Sequence, residues 1–171
     1  MKIVAASIAL LFLFSCSEPV SLKPPADSAS SDSLPYMSVQ TVSIGSTGLS
    51  LELPPDMNIS VSQDTNFVFA TISPKDTSTY DVLEAALYIG NSPNKENPQG
   101  DYVRTEEKRM LLGKEVTWVK FTTTRWQHEE VIIDYKTGKQ RYMHAWCNGR
   151  NAAELQRAMA VLLTLRETPA N

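Results

Sequence analysis

Three side chains capable of chemistry are predicted to meet on one hairpin: a thiol, an imidazole and a carboxylate. A turn at Lys136–Lys139 joins its strands and places His128 opposite Cys147, with Glu130 on the same face. Such groups form nucleophilic sites and zinc sites. A buried lone cysteine, however, usually behaves as a small apolar side chain, and one hairpin supplies too few ligands for a closed zinc site. We therefore predict no catalytic residue, no metal and no cofactor, with an enzyme using Cys147 and His128 as the alternative.

The other cysteine, Cys16, ends an apolar N-terminal segment. Lys2 precedes an apolar run over Ile3–Phe14, which is shorter than the roughly twenty residues of a membrane-spanning helix. The run closes on Leu13–Cys16, with the sequence LFSC, which resembles the lipobox of bacterial lipoproteins. The resemblance implies a signal peptide over 1–15 and a membrane anchor of acyl chains (palmitate and its relatives) on Cys16. An ordinary secretory signal is the alternative interpretation.

The anchored protein is expected in the bacterial cell envelope. Ser17 follows the cysteine where enterobacterial lipoproteins retained in the inner membrane carry Asp, which favours the outer membrane, facing the periplasm. Removing residues 1–15 takes away Lys2 and changes the net charge from −3 to −4. A mildly acidic chain without a Lys/Arg cluster is a poor nucleic-acid binder. Cys147 is then the one cysteine besides the acylated Cys16, so no intrachain disulfide can form. The fold must therefore rest on its hydrophobic core.

Composition divides the chain into three parts. After the signal peptide, residues 16–38 are rich in Pro, Ser, Ala and Asp without periodicity, which is typical of a flexible tether. Residues 39–168 carry regular apolar patterns and are long enough for one globular α/β domain.

Alternating apolar residues predict strands in this domain. The predicted strands are Val39–Ile44, Leu49–Leu53, Met57–Val61, Phe67–Ile72, Val103–Leu112, Val116–Thr124, His128–Tyr135 and Gln140–Cys147. Ser78–Asp81 is typical of the start of a short helix, and Leu83–Ile89 is ambiguous between helix and strand. Asn91–Gly100 is predicted to be a loop. Asn151 and Glu154 form a capping box for a final helix that packs on the sheet.

The predicted hairpin register gives two apolar faces. One face carries Val131, Ile133, Tyr135, Tyr142, His144 and Trp146, and the other Ile132, Met143, Ala145 and Cys147. A strand that is apolar on both faces needs cover on both. The hairpin therefore predicts a layered arrangement with the sheet between other elements.

The order of these elements resembles the photosystem II PsbP proteins and their bacterial relatives over roughly 42–166. Leu53-Pro54-Pro55 is the one motif-like piece that carries the likeness. The resemblance implies an α+β fold in which an antiparallel β-sheet meander is packed with helices as an α/β/α sandwich. Such a fold hosts accessory and binding proteins of many kinds, so it does not fix a function.

The remaining charged residues are predicted to have structural roles. Glu106–Arg109 and Glu129–Glu130 are interpreted as solvated strand surface, and His144 as a hydrogen-bonded core histidine. Asp134 and Arg141 are placed opposite each other, as an ion pair worth little if exposed.

One corner has the composition of a binding surface. Trp126 is next to Arg125 between two strands, and exposed Trp and Arg are typical of binding hot spots. With Asn91 and Asn94 in the predicted loop, they form the predicted partner-binding site. The sequence thus predicts a non-catalytic module that is held on the membrane and binds an envelope protein. The alternative binding function is an immunity or inhibitor protein against a toxin or wall hydrolase.

Overall fold

The computed structural model describes residues 38–76, 78 and 84–168, so the predicted signal peptide, Cys16 and the tether up to residue 37 lie outside the described residues. The elements in chain order are β1 (Gln40–Ser43), β2 (Leu49–Leu53), β3 (Met57–Gln63), β4 (Phe67–Pro74), β5 (Glu84–Gly90), β6 (Val103–Leu111), β7 (Lys114–Thr122), β8 (Gln127–Thr137), β9 (Gln140–Gly149), α1 (Ala152–Leu162) and β10 (Arg166–Glu167). The eight predicted strands are confirmed within two residues at each end. The short β10 was not predicted.

In the described residues the strands form two antiparallel sheets. The smaller sheet has the order β1-β2-β10, and the larger has the order β3-β4-β5-β9-β8-β7-β6. β4 shows why the chain folds this way, since its residues alternate strictly between half-buried and buried. That alternation gives the larger sheet an inner face that carries the buried core and an outer face whose side chains are half-buried along β4.

The hydrophobic core lies on the inner face of the larger sheet, beneath α1 and β2. Leu87 and Ala145 from the sheet, Leu51 from β2 and Leu155 from α1 belong to one buried cluster. α1 begins as predicted, because the Asn151 side chain accepts a hydrogen bond from the Glu154 backbone N–H at 3.0 Å. The Glu154 carboxylate accepts from the Arg150 amide rather than from the Asn151 amide. The predicted C-terminal helix on the sheet is confirmed.

The fold is a β-rich α+β arrangement with one helix in the described part of the chain. β5 shows that the ambiguous segment 83–89 is a strand, at least from Glu84 onward. The predicted helix start at Ser78–Asp81 lies largely outside the described residues. In the described ranges, therefore, a helix covers only the inner face, and the loop 91–102 lies against part of the outer face.

The predicted register of the β8–β9 hairpin is wrong by one residue. His128 pairs with Asn148, and Cys147 pairs with Glu129. The predicted turn at Lys136–Lys139 is also wrong, because Thr137 pairs with Gln140 and the turn is Gly138–Lys139, which alone would shift the pairing by two residues. A β-bulge between Asp134 and Thr137, where β8 has one residue more than β9, reduces that shift to one. A one-residue slip moves a whole strand to the other face relative to its partner.

This correction reassigns the two faces of the hairpin. Val131 and Ile133 lie opposite Ala145 and Met143 on the inner face, whereas His144 and Trp146 lie on the outer face. The predicted grouping of Val131 and Ile133 with His144 and Trp146 is therefore wrong.

The β6–β7 turn and the Asp134–Arg141 pair both differ in detail from the sequence predictions. The β6–β7 turn lies at Leu112–Gly113, one residue earlier than predicted, and both residues have positive φ. That is the requirement of a tight type I′ hairpin turn. Asp134 lies opposite Tyr142 rather than Arg141, yet its carboxylate is 3.7 Å from the Arg141 guanidinium as an exposed ion pair.

Candidate functional site

The bulge brings two imidazoles and a carboxylate together on the outer face of the larger sheet. His128 and Glu130 lie two residues apart on β8, and His144 lies on the neighbouring strand β9. Residues two apart on a strand share a face, so register alone decides that His144 joins them. We call His128, Glu130 and His144 the Glu130 cluster. All three are buried, with 4–5% of their surface exposed.

Glu130 is the centre of this cluster. Its Oε2 accepts a hydrogen bond from His144 Nε2 at 2.8 Å and another from the Glu96 backbone N–H at 3.1 Å. Burial disfavours the carboxylate, but the hydrogen bonds that it accepts, those from His144 and the Glu96 amide among them, outweigh burial and lower the pKa of Glu130 to about 2. Glu130 is therefore an anion at neutral pH.

His128 is held at one end and unpaired at the other. Its Nδ1 is 2.7 Å from Asn148 Oδ1, and because a carbonyl oxygen only accepts, Nδ1 carries the proton. Nε2 is buried without a hydrogen-bond partner, and it lies 3.8 Å from Glu130 Oε2, beyond hydrogen-bonding distance. In the neutral imidazole Nε2 is thus a hydrogen-bond acceptor facing a carboxylate.

Aromatic rings surround the cluster. The Trp146 ring is 4.6 Å from His144 and stacks on Phe69 at 5.7 Å. Trp126 meets His128 edge-on at 6.1 Å. Stacked and edge-on arrangements of this kind are the ones that aromatic pairs favour, and they surround the cluster with aromatic surface.

Tyr88 forms a further wall and ties down the start of the loop. Its hydroxyl oxygen accepts a hydrogen bond from the Ser92 backbone N–H at 3.2 Å. A Cβ at Gly90 would overlap the Tyr88 hydroxyl, so only glycine at that position lets the ring lie along the strand. Gly90, two residues after Tyr88 in the sequence, therefore allows the ring to take this position.

The cluster opens into two cavities that share lining residues. The first has a volume of about 290 Å³ and is lined by Tyr88, Ser92, Asn94, Glu96, His128, Glu130, His144 and Trp146. The second, of about 330 Å³, is lined by Glu96, Trp126, His128, Trp146 and Asn148. We call the two together the Glu130 cavity. A third cavity shares Glu96 and Glu130 with the first and includes Lys95 and Arg104.

The predicted partner-binding residues lie around this cavity to different degrees. Asn94 and the half-buried Trp126 line it. Arg125 is exposed on the same corner, and Asn91 is exposed and donates to the Lys139 carbonyl at 3.2 Å. Of the four predicted residues, two therefore line the cavity, and their role in binding stays a prediction.

The predicted meeting of Cys147 with His128 is not present, because Cys147 lies on the inner face. It is fully buried, and its thiol points at the Glu129 carbonyl at 3.8 Å. Burial, and next the charge of Glu129, raise the pKa of the thiol. A thiol in that state is a poor nucleophile.

Glu129 and Glu130 are buried, so their interpretation as solvated surface is wrong. Glu129 pairs with Arg109 at 2.8 Å on the inner face, and Glu130 pairs with His144 on the outer face. Both partners come from other strands. The signal in the sequence is the alternation of polar and aromatic residues at 128, 130, 144, 146 and 148, which becomes visible only in the correct register.

The described part of the chain has neither a metal-ligand cluster nor a membrane-spanning helix. Over 38–76, 78 and 84–168, no group of three or more His, Cys, Asp or Glu side chains is arranged to hold a metal ion. Within the same ranges no helix is long and apolar enough to cross a membrane.

Comparison with protein-family models, curated proteins and solved structures found no match to this chain.

Proposed function

We propose that this protein is a non-catalytic accessory module of the bacterial cell envelope that binds an envelope partner at the Glu130 cavity and its rim. The observation that carries the proposal is the environment of His128 Nε2. This buried atom has no hydrogen-bond partner, belongs to a residue that lines the cavity, and lies beside an ionised carboxylate. Buried polar atoms in proteins are nearly always satisfied. An orphan in a cavity is a typical mark of a binding site.

The chemistry of the cluster supports binding over catalysis. A carboxyl group with a pKa of about 2 is a weak base at neutral pH, and an efficient general base has a pKa near the working pH. The thiol of Cys147 is remote, on the other face. The rim adds Trp126 and the exposed Arg125, residue types that dominate binding energy at interfaces.

The location in this proposal rests on the N-terminal sequence. Cleavage before Cys16 and acylation of its thiol would leave the domain tethered to the outer membrane, facing the periplasm. Several acyl chains at about 0.8 kcal/mol per buried methylene make such an anchor effectively permanent. Mass spectrometry of native material should find an acylated N-terminal Cys16. An unmodified cysteine, or a mature chain that starts elsewhere, would remove the membrane part of the proposal.

The finer fold assignment is also part of the proposal. An antiparallel sheet with a C-terminal helix packed on it supports a PsbP-like fold. The single helix over the described ranges gives less support to a sheet packed between helices.

Site-specific photocrosslinking in the native envelope tests the binding surface. A crosslinking residue at Asn94 should capture a partner, and the same residue at Leu163, which is exposed near the end of α1, should not. Trp126→Ala should abolish the Asn94 capture while the circular dichroism spectrum stays unchanged. Capture that is equal at both positions, or that survives Trp126→Ala, would show that the partner binds elsewhere.

A further inference from the structure

The charges lining the Glu130 cavity are of one sign. Glu96 and Glu130 line it, and its lining residues include no lysine or arginine. The cations Lys95 and Arg104 line a third cavity, which shares Glu96 and Glu130 with the first. An anionic ligand would therefore meet a buried negative charge, whereas a cation would be attracted to it.

The polar atoms at the base of the cavity are acceptors. When His128 is neutral, its Nε2 presents a lone pair, because its Nδ1 donates to Asn148, and Glu130 presents a carboxylate. These two acceptors lie 3.8 Å apart. One nitrogen atom placed about 2.9 Å from each can donate to both, provided that it carries at least two hydrogens.

The walls favour the same chemistry. Trp146, Tyr88 and Trp126 line the two lobes of the cavity. Aromatic faces attract alkylammonium groups through their electron-rich centres, most strongly when the group is desolvated. The indole and phenol surfaces also provide apolar contact for an aliphatic chain that leads to the charged end.

From these observations we infer that the Glu130 cavity binds a primary ammonium group at the end of an aliphatic chain. A quaternary ammonium has no N–H and would leave His128 Nε2 unpaired. A lone hydroxyl donates only one hydrogen and carries no charge to balance Glu130. The inference rests on the proposed function, since the ammonium can be the end of a lysine side chain on the bound partner or a free small amine.

Titration of the full lipidated chain in detergent micelles tests the ligand class. The probes are n-butylammonium, n-butyltrimethylammonium and 1-butanol, followed through the ¹⁵N signals of the histidine rings. We expect saturable binding of n-butylammonium with a shift of the His128 Nε2 signal, and at least roughly tenfold weaker binding of the other two probes. Equal binding of all three probes would overturn the inference, and so would a His128 Nε2 signal that does not shift when n-butylammonium is added.

Two variants separate the cavity from nonspecific charge effects. Glu130→Gln keeps the shape but removes the charge, and it should weaken n-butylammonium binding by roughly tenfold or more. Glu106→Gln removes an exposed carboxylate elsewhere on the same sheet and should leave binding unchanged. Near-UV circular dichroism checks that Glu130→Gln retains the native packing. A folded Glu130→Gln protein that binds as the wild type does would contradict the inference.

Competition with the partner identifies the source of the ammonium. If n-butylammonium, added before irradiation, prevents capture of the partner at Asn94, and acetylation of the partner's lysines also prevents it, the cavity binds a lysine side chain. If n-butylammonium binds without reducing the capture, the ligand is a free small amine. Absence of n-butylammonium binding overturns this inference alone, because capture at Asn94 tests the proposed function independently.

Discussion

At the scale of residues, Glu129 and Glu130 are chain neighbours whose pKa values shift in opposite directions. Burial is the largest influence on each and raises both. For Glu129 burial prevails over the attraction of Arg109, and the pKa is raised. For Glu130 the hydrogen bonds that it accepts, including those from His144 and the Glu96 amide, prevail, and the pKa falls to about 2. Alternation along β8 thus gives adjacent carboxyl groups different protonation behaviour.

The low pKa of Glu130 predicts a contribution to acid stability. A folded-state pKa of about 2, below the ordinary 4.5, means that the ionised carboxylate stabilises the fold above about pH 5. That contribution is lost as the pH falls through the folded-state value. At about 1.4 kcal/mol per pKa unit it amounts to about 3 kcal/mol. Urea unfolding between pH 5 and pH 2 should show this loss in the wild type and not in Glu130→Gln.

The control for acid stability is Glu106→Gln, whose carboxylate is half exposed. It should lose stability with falling pH as the wild type does. If Glu130→Gln and the wild type lose the same free energy of unfolding over this range, the pairing of Glu130 with His144 does not stabilise the fold.

The burial of Cys147 predicts an unreactive thiol. The residue is fully buried and burial raises its pKa, so little thiolate forms at neutral pH. Iodoacetamide followed by peptide mapping should leave Cys147 unmodified in the folded chain and alkylate it in urea. Rapid alkylation of the folded protein would show that the inner face opens, and it would revive the interpretation of this thiol as a nucleophile.

At the scale of elements, the start of α1 is fixed by one side chain. Asn151 accepts from the Glu154 amide at 3.0 Å, which satisfies one of the free N–H groups at the start of the helix. Asn151→Ala should lower the free energy of unfolding by about 1 kcal/mol, and Asn151→Asp, which keeps the acceptor, should cost much less. Urea titration measures both. Equal stability of the two variants would mean that the cap contributes nothing.

At the scale of the whole molecule, the end of the described chain returns to its beginning. β10 pairs with β2 through Arg166 opposite Ser50 and Glu167 opposite Leu49. Thr168 donates its backbone N–H to the Gly48 carbonyl at 2.7 Å. These contacts hold the smaller sheet over the core that β2 shares with α1.

Removal of β10 should therefore loosen the smaller sheet. A chain that ends at Leu165 loses the β10 pairing, whereas a chain that ends at Thr168 keeps it. Two or three backbone hydrogen bonds at roughly 0.5–1.5 kcal/mol each predict a difference of about 1–4 kcal/mol between the two chains. Thermal unfolding measures the difference. Identical unfolding of the two chains would show that β10 does not support the fold.

The sequence by itself determined the local features of this protein. Alternation gave the eight predicted strands, composition gave the loop at Asn91–Gly100, and Asn151 with Glu154 gave the start of the helix. Each of these signals arises from residues close together in the chain, where backbone periodicity and capping act. Trp126 and Asn94, which line the Glu130 cavity, were predicted in the same way, from residue types in a corner and a loop.

Only the tertiary structure decided the centre of the site. The bulge before the β8–β9 turn shifts pairing by one residue, and a period-two pattern looks the same in either register. That shift separates His128 from Cys147 and brings it together with His144. The burial of Glu130 depends on Glu96 and His144, which approach it from distant parts of the chain. Its charge state is therefore set by contacts that no local pattern contains.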